Sequence, residues 1–165
     1  MRPSTTPVPF ANPLELVQSI VTALGGNATS YSDFAPVFNG KPYFDNRNVT
    51  YTSSGLPLPG INANVGRFDA VPSALNYMNQ YYRPSGNLQI PMLMLSISRD
   101  PVAPGFHQIA YRNVVTAAGH TDLLVQRTVN GANNGYGHCT FTPAELATAF
   151  SDLVGWVEFG VKPAP

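Results

Sequence analysis

Apolar positions recur along the chain in a few distinct patterns, and each predicts an element. Leu14, Val17, Ile20, Val21 and Leu24 lie three and four residues apart, the spacing of one helix face. Asn12 precedes them as an N-cap, Pro13 fits the first helical position and Glu15 completes an Asn-x-x-Glu variant of the capping box. Gly25-Gly26 follow as a stop, so the pattern predicts a helix over 13–24. From Asn27 to Gly60 no period is sustained. Tyr31, Phe34, Phe38, Tyr43, Phe44 and Tyr51 are spread among Gly, Pro, Asn and Asp, which reads as long loops with one short helix around 31–38. Ala74, Leu75, Met78 and Tyr82 predict a helix over roughly 71–82, with Asp69 placed to cap it and Pro84-Ser85-Gly86 to end it.

The second half is more regular. Ile90-Pro91-Met92-Leu93-Met94-Leu95-Ser96-Ile97 is the most apolar run, short and bounded by turn residues, and it reads as a strand buried on both faces. Gly105 to Ala118 reads as a helix with Ile109, Ala110, Val114 and Ala117 inward and Gly119 at its end. Leu123 to Val129 is a second strand, and Asn130 to Gly137 is a flexible loop. Thr142-Pro143-Ala144-Glu145 is a capping box with Pro at the first position. It opens a helix carrying Leu146, Phe150, Leu153, Val154 and Val157 up to Gly160. Strand–helix–strand–helix is one crossover unit of a parallel α/β sheet plus a closing helix. Two such strands leave bare sheet edges, which predicts a partner: a second copy of this chain or a further segment.

Composition narrows the classes. The 165 residues suffice for one domain with a sizeable core. Lys+Arg and Asp+Glu balance at nine each, which argues against a nucleic-acid or anionic-membrane partner. No apolar run approaches the ~20 residues of a membrane span. The single cysteine, Cys139, excludes an intrachain disulfide and any Cys-based metal cluster. The three histidines show no ligand spacing, so neither a metal nor a cofactor is expected. The first residues, Pro/Thr-rich and read as extended over 1–11, hold no signal peptide. That leaves a cytoplasmic protein, or a secreted one whose leader belongs to a longer precursor.

The chemistry concentrates at two strand ends. Asp100 follows the first strand and His138 lies in the loop after the second. Ligands of open α/β sheets bind beyond these carboxyl ends. A carboxylate there can accept the Nδ1–H of the histidine, fix its tautomer and leave Nε2 as a base. Alone, Asp100 also fits a turn residue before Pro101, and His138 a polar loop residue. Cys139 adjoins His138, and neighbours on a turn normally point apart, so Cys139 reads as packing rather than as half of a dyad. His107 falls on the first turn of a helix and His120 in a surface turn. The Asn130–Gly137 loop lacks the Lys-Ser/Thr of a phosphate loop.

Residues 88–163 resemble the C-terminal part of an α/β-hydrolase of the secreted esterase type. The resemblance rests on the apolar strand, Asp100-Pro101-Val102-Ala103-Pro104, the following helix and strand, Gly137-His138-Cys139, and the closing amphipathic helix through Gly160 and Pro163. It implies a partial α/β-hydrolase fold over 88–165 and a lid over 1–87. It also implies carboxylic-ester hydrolysis with Asp100 and His138 as triad acid and base, and a small-molecule or polymeric ester as substrate. The implied serine, in a Gly-x-Ser-x-Gly elbow, is not in this sequence. Thr52-Ser53-Ser54-Gly55 is the nearest segment and lacks the preceding glycine. The nucleophile is therefore expected from a preceding segment or a partner chain. Two rivals stand beside this: a catalytically incomplete homologue that binds as an oligomer, and a small hydrolase with an unrecognised nucleophile.

Overall fold

The computed structural model describes residues 11–52 and 59–165. They form a mixed α/β protein whose only sheet, among the described residues, has two strands. The chain divides into two compact units, one made of the residues up to Gly26 together with Pro84–Pro165, the other of Asn27–Arg83.

In the first unit, β1 (Met92–Ile97) and β2 (Leu124–Val129) pair in parallel, with Met92 opposite Leu124 and Ile97 opposite Val129. A parallel pair needs a crossover. It is α4 (Phe106–Ala117), and α5 (Pro143–Phe159) closes the chain. The register brings Ser96 Oγ within 3.2 Å of Thr128 Oγ1. The core is small, with Ile97 1% and Val115 0% exposed and Leu124, Val125, Ala149 and Trp156 buried around them. Gln126 is a buried polar member of β2, and its partners explain it: Nε2 donates to the Gln108 carbonyl at 3.0 Å and Oε1 accepts from Arg112 Nε at 2.8 Å. That pairing ties α4 to the sheet and removes the cost of an unsatisfied buried amide. Arg127 Nη1 donates to Asp152 Oδ2 at 2.6 Å and so ties α5 to β2.

The sequence overstated burial here. Strand β1 is half-buried until Ser96 and Ile97, and Ile90 lies outside it, exposed. On α4 the buried residue is Val115, while Ile109 and Ala117 are exposed. Leu146, Phe150 and Val157 of α5 are exposed as well. Periodicity names the apolar face of an element, but burial needs something packed on it.

The start of α5 is as the sequence predicts. Thr142 Oγ1 accepts from the Glu145 N–H, and the Glu145 carboxylate accepts from the Thr142 N–H at 2.8 Å. The other carboxylate oxygen accepts from Gly131 N at 2.9 Å, which joins the loop after β2 to α5. These donors favour the anion, Thr142 most and Gly131 next, and hold the Glu145 carboxyl below its ordinary value. A carboxyl whose folded-state pKa is depressed stabilises the fold fully above its unfolded value, and the contribution fades as pH falls through the folded one. Glu145→Gln should therefore flatten the acid side of the stability curve. Urea midpoints measured from roughly pH 3 to 6 check this.

The first helix departs from the pattern. α1 runs Pro13–Phe38, straight through Gly25-Gly26 and through the residues read as a separate helix around 31–38. A glycine costs a helix about 1 kcal/mol relative to alanine; it disfavours continuation without forbidding it. The real stop is Asn39-Gly40, both at positive φ (48° and 72°). At the N-terminus, Asn12 Oδ1 accepts from Glu15 N at 2.9 Å as expected, while the Glu15 carboxylate reaches Ala11 N.

In the second unit, α2 (Ile61–Asn64) is one short turn absent from the sequence reading, and α3 (Pro72–Tyr81) matches the predicted helix. Asp69 does not cap α3; its carboxylate is bound by the Arg47 guanidinium, and Val71 takes the cap position without a side-chain bond. An arginine fork outbids a lone backbone N–H for a carboxylate. Ala74 is buried on α3, whereas Leu75 and Tyr82 are exposed. The scattered aromatics anchor this unit: Phe38 contacts Tyr43 and Tyr77, and Phe44 contacts Tyr43 and Phe68.

Candidate functional site

Two loops at the carboxyl end of the parallel pair converge. Beyond β1 the chain pairs once more, Arg99 bridging to Tyr136. Arg99 N donates to the Gly135 carbonyl at 2.8 Å. This extra bridge sets the register of the residues that follow on each side, Asp100 and Gly137-His138-Cys139.

Asp100 is 6% exposed. Its Oδ1 accepts from the backbone N–H of Val102 at 2.8 Å and of Ala103 at 2.9 Å. The turn role and the histidine role, alternatives in the sequence, are both filled. His138 Nδ1 lies 2.9 Å from Oδ2 and 3.1 Å from Oδ1 of Asp100. A carboxylate only accepts, so this nitrogen is the donor, and in the neutral ring Nε2 is left as an acceptor. The imidazole itself is 42% exposed, so the carboxylate is buried and the ring is open. That asymmetry suits a carboxylate that orients and a ring that exchanges protons with a reacting group.

Cys139 overturns its sequence reading. It is exposed, and its Sγ lies 3.4 Å from Nε2 of its neighbour. Adjacent side chains point apart on an ordinary turn. Here Gly137 (φ 128°) and Cys139 (φ 55°) both leave the usual region, and the turn brings the thiol back to the Nε2 edge of the ring. A positive φ at a cysteine could not be read from residue types.

A network behind the site was not legible either. Arg99 Nη1 donates to Glu15 Oε2 at 2.6 Å across 84 residues of sequence, and both side chains are largely buried. The Arg99 guanidinium lies over the Tyr136 ring, 5.6 Å from its centre, and Nη2 donates to the Asn134 carbonyl at 2.8 Å. Tyr136 Oη donates to the Glu15 carbonyl at 2.9 Å and lies 3.0 Å from Ser19 Oγ. The first turns of α1 thus clamp the residues immediately before Asp100 and two before His138. No local pattern announces a contact this distant in sequence.

The remaining candidates do not join the site. His107 lies in the first turn of α4, its ring against Phe106, and His120 precedes the short turn Thr121–Leu123. Ser53 and Ser54 lie outside the described residues. Among the described residues no group of three or more His, Cys, Asp and Glu could hold a metal ion, and no helix is long and apolar enough to cross a membrane. No protein-family model matches the chain, and neither does any curated protein or solved structure.

Proposed function

We propose that Asp100 and His138 are the acid and base of a carboxylic-ester hydrolase that works by acyl transfer. The observation that carries this reading is the two-oxygen approach of the buried Asp100 carboxylate to Nδ1 of the partly exposed His138 ring. In this reaction a hydroxyl nucleophile attacks the ester carbonyl as Nε2 takes its proton. The imidazolium is stabilised by Asp100 and returns the proton to the leaving alkoxide. Water then repeats the cycle on the acyl intermediate. The β1–α4–β2–α5 unit would be the last part of an α/β-hydrolase sheet, and the residues before it a lid inserted ahead of the acid-bearing strand. The sequence holds no Gly-x-Ser-x-Gly, so the serine would come from a preceding segment or a partner chain of an exported enzyme. The balance of nine basic and nine acidic residues fits a neutral ester better than a polyanionic substrate.

The test is p-nitrophenyl butyrate hydrolysis by the native species, purified through a C-terminal tag on this chain, in wild type and His138→Ala. The expected result is turnover that falls on the order of a thousandfold or more in the variant. A fluorophosphonate probe should then label a serine outside these residues. Undiminished turnover in the variant, or no turnover in either, contradicts the reading; the latter outcome favours a binding module.

A further inference from the structure

We propose that Cys139 is a thiol nucleophile, able to take an acyl group from an ester or thioester with His138 as its base. The inference rests on the reading of Asp100 and His138 as an acid–base pair and adds a third member from within this chain. The three groups stand in the order that nucleophilic catalysis needs. Cys139 Sγ is 3.4 Å from His138 Nε2, and His138 Nδ1 is 2.9 Å from Asp100 Oδ2. Nδ1 carries the proton because it faces a carboxylate, so Nε2 is the atom that accepts from the thiol.

The surroundings suit the role. The thiol is exposed and so within reach of a substrate. It lies at the carboxyl end of the parallel strands, where open α/β sheets place their ligands. Its turn is held from several sides. Ala132 N donates to the Thr140 carbonyl at 2.7 Å. Arg99 accepts from Gly137 N and Gly131 N reaches Glu145 of the α5 capping box. A loosely held surface cysteine would have no reason to return onto its own neighbour's ring through a left-handed backbone.

The chemistry closes without a co-reactant. Nε2 takes the thiol proton, and the sulfur forms a bond to the acyl carbon. The tetrahedral intermediate then expels the alkoxide or thiolate, which takes the proton back from Nε2. The product is an S-acyl cysteine and a free alcohol or thiol. Water, deprotonated by the same nitrogen, releases the carboxylic acid and restores the thiol.

The experiment uses the full chain with p-nitrophenyl acetate, followed by intact mass and peptide mapping. Wild type should carry an acetyl group on Cys139. The rate of its appearance should exceed that of His138→Ala on the order of a hundredfold, the range of general-base assistance. Asp100→Asn, which keeps an acceptor for the Val102 and Ala103 N–H groups, should also slow it, and Cys139→Ala should carry no adduct. Equal acylation rates in wild type and both site variants would reduce Cys139 to an ordinary exposed thiol and overturn the proposal, as would the absence of an adduct on Cys139. These failures are separable from failure of the esterase reading. If the native species hydrolyses esters through His138 while Cys139 stays unacylated, only this inference falls. If Cys139 is acylated through His138 and no serine is ever labelled, the thiol stands and the expected serine falls.

Discussion

Replacing Asp100 with asparagine is expected to slow ester turnover on the order of ten-thousandfold while leaving the fold in place. The two roles of Asp100 separate in this substitution. An amide oxygen can still accept from the N–H groups of Val102 and Ala103, so the turn after β1 keeps its bonds. The second oxygen becomes an NH2 that can no longer accept from Nδ1. The ring then turns its bare nitrogen towards the amide and its N–H towards the substrate, which is the wrong tautomer for a base. The charge that stabilised the imidazolium is also gone. Turnover of p-nitrophenyl butyrate together with thermal unfolding checks both halves. A variant within about tenfold of wild type would show that Asp100 serves the turn alone.

Gly131→Ala is expected to cost about 2–4 kcal/mol of stability, from the left-handed backbone and the overpacking together. Gly131 has φ 60°, and a Cβ there would press on the Thr140 carbonyl oxygen and lie 2.8 Å from Ile97 Cδ1. Neither neighbour can retreat freely. The Thr140 carbonyl is held by Ala132 N at 2.7 Å, and Ile97 is among the most buried residues of the core. Relief would have to move Thr140, and with it Cys139 and His138. Ester turnover should therefore fall as well as stability. Gly155→Ala on α5 is the matched control. Its Cβ meets nothing within 4 Å, and alanine is the better helix former, so that variant should be neutral or slightly more stable. Urea unfolding of the two variants beside wild type decides the matter. Equal stabilities would mean that the loop after β2 yields without disturbing the core.

What could be read from the sequence, and what could not, divides along a physical line. The β1–α4–β2–α5 order was legible because its signals are local. They are two short apolar runs bounded by turn residues, a complete capping box at Thr142–Glu145, and Gly160, which ends α5 at φ 71°. The contact between Asp100 and His138 was legible because parallel strands in sequence order put the loops after them at one end. The true length of α1 was not, because two glycines weigh only about 2 kcal/mol against a helix that other forces can extend. The Asp69 cap failed for a related reason: Arg47, 22 residues away, offers a stronger partner. The Arg99–Glu15 clamp joins residues 84 apart, beyond any periodic pattern. The approach of Cys139 to His138 depends on backbone angles at Gly137 and Cys139 that side-chain types do not encode.

The tautomer of His138 tests the central claim most directly. Long-range proton–nitrogen correlations across the neutral imidazole report which ring nitrogen is protonated. The Asp100 contact requires Nδ1–H with Nε2 bare in the wild-type protein, and a shift to Nε2–H in Asp100→Asn. That pair of spectra would establish a base oriented by the buried carboxylate. An Nε2–H ring in the wild type, or the same tautomer in both proteins, would mean that Asp100 does not orient His138, and the acyl-transfer account would fail with it.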